Sequence, residues 1–191
     1  MYIFINILTV SRIFLGFLIF LSLIGNDGYL TALFLFIIAG ISDYFDGYFA
    51  RKFNATSQIG EILDPIADKI LITFVLFALA VNLSSYLIAI AGSIIISREI
   101  WVSALRDLNA RNNNEKATKV ITISKYKTAM QLFSVLIYLL GLAFNFMLLV
   151  VIGDILLVIA LLITVPYFAN SCIKVVQFLN NPKNSMITII Y

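Results

Sequence analysis

Six stretches of roughly twenty mostly apolar residues, each long enough to cross a hydrocarbon core, follow one another along the chain and leave it few folds to choose from. They run from about Ile5 to Ile24, Tyr29 to Phe49, Ile62 to Val81, Tyr86 to Leu105, Thr128 to Phe144 and Leu148 to Val176. Lipid offers no partner for an N–H or C=O group, so a span of this kind must satisfy its own backbone as a helix. Of 191 residues, 62% are hydrophobic and 12% charged, whereas a soluble domain is about half apolar. The expectation is an all-α integral membrane protein: one domain over residues 1–191, with six transmembrane helices. Gly25-Asn26-Asp27-Gly28 and Asn82-Leu83-Ser84-Ser85 read as turns between spans. Pro166 is expected to kink the sixth span. The first basic residue, Arg12, lies inside an apolar run with no small-residue cleavage site after it, so the first span is expected to belong to the mature protein.

Basic residues orient these spans. The connections after the first, third and fifth carry no Lys or Arg. The second carries Arg51 and Lys52, the fourth carries Arg111, Lys116, Lys119, Lys125 and Lys127, and the C-terminal tail carries Lys183. The positive-inside rule then puts both termini and the even connections in the cytoplasm. It also gathers Asp43, Asp46, Asp64 and Asp68 at one level, where the second span ends and the third begins.

With no histidine and a single cysteine, Ser-His-Asp and Cys-His catalysis, haem ligation by His and disulfide stapling are all excluded. Cys172 reads as a small packing residue. The four aspartates carry the chemistry. On a helix, Asp43 and Asp46 project from one face, as do Asp64 and Asp68, and Gly47 and Ala50 leave room beside the first pair. Pro65 is expected in the first turn of its helix, with Gly60 and residues 54–58 letting the chain reverse. Ionised aspartates near lipid are costly unless paired, hydrated or bound to a cation. Four without four basic partners call for divalent metal, and hard oxygen ligands favour magnesium, calcium or manganese over zinc. Two such ions suit phosphoryl-type chemistry, in which one carboxylate takes a proton from an incoming hydroxyl. Arg51 is placed to fork onto phosphate oxygens. A site at this depth implies one lipid-tailed and one water-soluble reactant.

The spacing D-x2-D-G-x2-A-R-x8-G-x3-D-x3-D, filled by Asp43, Asp46, Gly47, Ala50, Arg51, Gly60, Asp64 and Asp68, resembles the signature of the CDP-alcohol phosphotransferase family. Asn6, Thr9 and Arg12 are similar to the N-x-x-T-x-x-R opening of its first helix. The run Arg98 to Arg106 resembles the R-E-x-x-V-S-x-L-R segment of its phosphatidylglycerophosphate-forming members. Ser124 to Gln131 resembles their G-K-x-K-T-x-x-Q segment, with Ser124 where the pattern has Gly. The resemblance implies transfer of the phosphatidyl group of CDP-diacylglycerol to sn-glycerol 3-phosphate, giving phosphatidylglycerophosphate and CMP, without a covalent enzyme intermediate. It implies two magnesium or manganese ions on Asp43, Asp46, Asp64 and Asp68, with Asp68 as the base. It puts the nucleotide against Asp43, Gly47, Ala50, Arg51 and Gly60, and a homodimer in the cell (inner) membrane. The acceptor phosphate needs cations, for which Arg98, Arg106, Lys125 and Lys127 are the candidates.

Blander roles compete for several of these residues. Asn6, Thr9 and Arg12 suit interhelical polar contacts as well as the site, Arg98 and Glu99 suit a local pair, and Lys52 suits a topology determinant. Lys69 reads as a snorkelling or pairing residue, and Asp154 as a boundary residue. A sister enzyme using inositol phosphate, serine or phosphatidylglycerol as acceptor shares the motif. A cation transporter is the remote alternative, but its carboxylates belong near mid-bilayer or on both sides. Nucleic acid is not an expected partner.

Overall fold

A computed structural model describes residues 2–25, 28–52, 58–111 and 122–180, and among these the chain is helical apart from short turns. The helices are α1 (Tyr2–Ile24), α2 (Tyr29–Lys52), α3 (Gln58–Asn82), α4 (Tyr86–Arg111), α5 (Thr122–Ala143) and α6 (Met147–Asn180). The six apolar stretches of the sequence each become one helix. Among the described residues, three helices are long and apolar enough to cross a membrane, over Ile7–Ile24, Tyr86–Leu105 and Met147–Pro166. Shorter apolar stretches lie at Tyr29–Phe45 and Ala129–Ala143.

The helices overrun the apolar stretches at their charged ends, because a polar sequence continues a helix once water can solvate its side chains. This corrects the expected reversal: α3 begins at Gln58, so Gly60 and Pro65 lie within it, and Pro65 falls beyond its first turn. α6 runs through Pro166 to Asn180.

Two tight turns close the other end of the bundle by the same device. After α3, Ser84 takes a left-handed conformation (φ 47°), its N–H reaches the Val81 carbonyl, and the Ser85 N–H reaches that of Ala80. After α5, Asn145 (φ 52°) and Phe146 repeat the pattern onto Leu142 and Gly141. Both are Schellman closures, which occupy carbonyls that a helix end otherwise leaves unpaired. Ser85 also caps α4, its Oγ accepting from the Ile88 N–H at 3.4 Å.

Neighbouring helices form a closed circuit, α1–α3–α4–α6–α5–α2 and back to α1. Its centre is packed by Leu23, Leu33, Val75, Leu79, Ile95 and Leu139. The outside is also apolar, with Phe14, Phe34, Phe77, Ile90 and Leu162 all exposed. Apolar residues on the outer wall as well as in the core mark a bundle whose solvent is lipid.

α1 and α3 run parallel and in step, since Phe20 meets Phe74 with ring centroids 5.8 Å apart and the Asn82 side-chain amide donates to the Leu23 carbonyl at 2.7 Å. Between them Gly16 allows close approach, because a Cβ there would lie 3.2 Å from the Leu71 Cα. Gly16→Leu is therefore expected to push the two helices apart and to cost about 1–3 kcal/mol, visible as a lower unfolding temperature in detergent.

Candidate active site

One face of α1 carries Thr9 and Arg12, three residues apart and so one above the other; both are buried. Thr9 Oγ1 donates to Asp64 Oδ1 on α3 at 2.7 Å. The Arg12 guanidinium Nη1 donates to Asp43 Oδ1 on α2 at 2.7 Å and also to Asp68 Oδ1 on α3. α1 thus delivers a hydroxyl and a cation to three carboxylates held by its two neighbours. Arg12 is only 1% exposed, while the Asp43 and Asp68 side chains are 56% and 51% exposed. A buried guanidinium is tolerable here because it is bonded to two anions, and those anions are themselves half exposed.

A cavity of about 160 Å³ opens beside this cluster. Arg12, Asp43 and Asp68 lie on its wall, together with Lys69 and Glu99 from the α3–α4 side and Gln131 from α5. Lys69 Nζ donates to Ser103 Oγ on α4 at 2.7 Å, the pairing role its sequence suggested. Arg98, buried on α4, donates from Nη1 to Glu99 Oε1 at 2.9 Å.

Of the other residues singled out from the sequence, Gly47 is half-buried on α2 and Gly60 is buried on α3. Asn6, Asp46, Ala50, Arg51, Arg106, Lys125 and Lys127 fall within helices, but their side chains lie outside the described residues. Lys52 sits over the Tyr48 ring, 5.5 Å from its centroid. Asp154, read as a boundary residue, in fact accepts a 2.6 Å hydrogen bond from the buried Tyr138 hydroxyl, while Ser134 Oγ donates to the Gly153 carbonyl. These two contacts hold α5 to α6.

The carboxylates are hard oxygen donors, and Asp43 and Asp68 share the Arg12 guanidinium. The donor set therefore suits a hard divalent cation. Among the described residues no three acidic, thiol or imidazole groups converge closely enough to enclose an ion; the Asp46 side chain lies outside them. Sequence reasoning did not foresee that Arg12 and Thr9 bond the carboxylates directly, nor that Gln131 and Glu99 reach the same cavity. The three-residue spacing of Thr9 and Arg12, matching the four-residue spacing of Asp64 and Asp68, was the available signal.

Comparison with known proteins gives this site a setting. A curated protein from Blochmanniella floridana is 43% identical over 102 residues, 53% of this chain and 54% of that protein. One from Escherichia coli K12 is 33% identical over 53% of this chain and 56% of its own length. The chain thus spans about half the length of these relatives, whereas one from Rickettsia bellii is 37% identical over 84% of this chain and 88% of that protein. All three are named CDP-diacylglycerol–glycerol-3-phosphate 3-phosphatidyltransferase. The model of the CDP-alcohol phosphatidyltransferase family matches residues 3–166, which take in α2, α3, α4 and α5 whole, α1 but for its first residue, and α6 as far as Pro166, and the chain belongs to that family.

Proposed function

We propose that the protein transfers the phosphatidyl group of CDP-diacylglycerol to sn-glycerol 3-phosphate, giving phosphatidylglycerophosphate and CMP. The observation that carries this reading is the assembly of Asp43, Asp64 and Asp68 around Arg12 and Thr9, with the cavity beside it. The relatives' names supply the two substrates.

In the proposed reaction the acceptor hydroxyl oxygen forms a bond to the phosphorus that carries the diacylglycerol. The anhydride bond to the CMP phosphate breaks, CMP leaves with that bonding pair, and the hydroxyl proton passes to the Asp68 carboxylate. Arg12 orients Asp68 and Asp43, and Thr9 orients Asp64. Arg51 lies against the nucleotide phosphates, with Gly47, Ala50 and Gly60 giving the cytidine room. Arg98, Arg106, Lys125 and Lys127 are the cations proposed for the acceptor phosphate. Asp43, Asp46, Asp64 and Asp68 would hold two magnesium or manganese ions, which supply charge neutralisation of the diphosphate. The proposed setting is a homodimer in the cell membrane, with both termini and the site facing the cytoplasm.

The test is a panel of acceptors offered in turn to purified protein with CDP-diacylglycerol, following CMP release and the lipid product. Glycerol 3-phosphate is expected to give product, while serine, inositol phosphate and phosphatidylglycerol leave the donor intact. Product from one of those but none from glycerol 3-phosphate would overturn the assignment. Chelating divalent cations with EDTA is expected to reduce CMP release to background, and magnesium or manganese to restore it. Undiminished release in EDTA would remove the metal from the reading.

A further inference from the structure

Gln131 on α5 is 3% exposed, and its Nε2 has no hydrogen-bond partner among the described residues. A buried amide N–H left unpaired costs about 1–3 kcal/mol, so such a group is rare unless something absent from the folded chain satisfies it. Gln131 also lines the cavity that holds Asp43 and Asp68. The rest of the lining includes the apolar Phe36, Leu71, Ile72 and Leu132, and none of the acceptors on the wall is bonded to the amide nitrogen.

The cavity therefore presents carboxylate acceptors from α2 and α3 and an amide donor from α5. A hydroxyl answers both, since it donates its proton to a carboxylate and accepts from an N–H through its lone pairs. A fully ionised phosphate or a cytosine ring does not combine these two functions on one atom. The position along α5 agrees. Gln131 is four residues beyond Lys127, on the same side of the helix and about 6 Å further along its axis. A phosphorylated alcohol bound at Lys127 would reach Gln131 with its hydroxyl end.

We propose that Gln131 donates from Nε2 to the reacting hydroxyl of the acceptor alcohol, so that it helps decide which alcohol is accepted. The inference rests on the proposed transferase reading. In it the hydroxyl is held from two sides, by Asp68 and by Gln131, and its lone pair stays directed at phosphorus.

Gln131→Met keeps the length of the side chain and deletes the donor. In purified protein assayed with glycerol 3-phosphate and CDP-diacylglycerol, the expected result is a rise in KM for the acceptor of about tenfold, the worth of one lost hydrogen bond of roughly 1.4 kcal/mol. KM for the donor should stay within about twofold, roughly 0.4 kcal/mol on the same scale. The unfolding temperature should hold or rise, since an unpaired polar group has been removed. Gln131→Glu, which keeps the shape and loses both N–H donors, should show the same acceptor defect. An unchanged acceptor KM, or equal losses for donor and acceptor together with a lower unfolding temperature, would overturn the inference in favour of a packing role. A wild-type enzyme that turns over only another alcohol would sink the proposed acceptor alone, and the same comparison on that alcohol then decides the role of Gln131.

Discussion

Asp68→Asn is expected to lower CMP release by about 10²–10⁴-fold, the usual worth of a positioned general base. The amide keeps an oxygen for Arg12 to bond, so the link from α1 to α3 survives in a weaker form while the proton acceptor is lost. Binding of CDP-diacylglycerol, followed by isothermal titration in detergent, should fall far less than turnover. Normal turnover in this variant would remove Asp68 from the chemical step. Equal collapse of binding and unfolding temperature would instead make it a structural anchor.

For Arg12→Met the expected loss is double, in stability and in activity. The guanidinium is buried and bonded to both Asp43 and Asp68, and removing it leaves two neighbouring carboxylates without their shared cation. Breaking a fully buried pair costs about 3–5 kcal/mol. Both aspartates are half exposed and can take up water, so a figure nearer 2 kcal/mol is expected, the range of hydrogen bonds to charged groups. Turnover should fall at least about tenfold with it, because every 1.4 kcal/mol of misplacement is a factor of ten in rate. Arg12→Lys should recover part of the stability and less of the activity, because a point charge cannot reproduce a planar fork. Thermal unfolding and CMP release on the three proteins would separate these contributions. Wild-type behaviour in the methionine variant would show that the carboxylates need no help from α1.

How far these features were legible in advance depended on what kind of fact each was. The six helices were, since a run such as Tyr86 to Leu105 in lipid has only one way to satisfy its backbone. Ser84-Ser85 was readable as a turn, and Lys69 as a pairing residue. Spacing put Asp43 with Asp46, and Asp64 with Asp68, because helical angle depends on residue number alone. Distances across helices do not, and there the sequence fell silent. Arg12 could be assigned to a face but not to Asp43 and Asp68, which depends on α1 lying beside both α2 and α3. Tyr138 and Asp154 come from helices whose relative rotation no spacing encodes. The start of α3 was misjudged because polarity marks where hydrocarbon stops, and the helix goes on past that level to Gln58.

The in-step run of α1 beside α3 works like a rack and pinion cut to one pitch. Deleting a single residue between Arg12 and Gly16 would turn everything on one side of the cut by about 100° relative to the other. Either the arginine would swing out towards the acyl chains or the glycine would leave its notch, and no rigid shift of the helix could mend both. Length in this part of the first helix should therefore be far less forgiving than composition, with many apolar exchanges tolerated on its lipid side and scarcely any insertion or deletion.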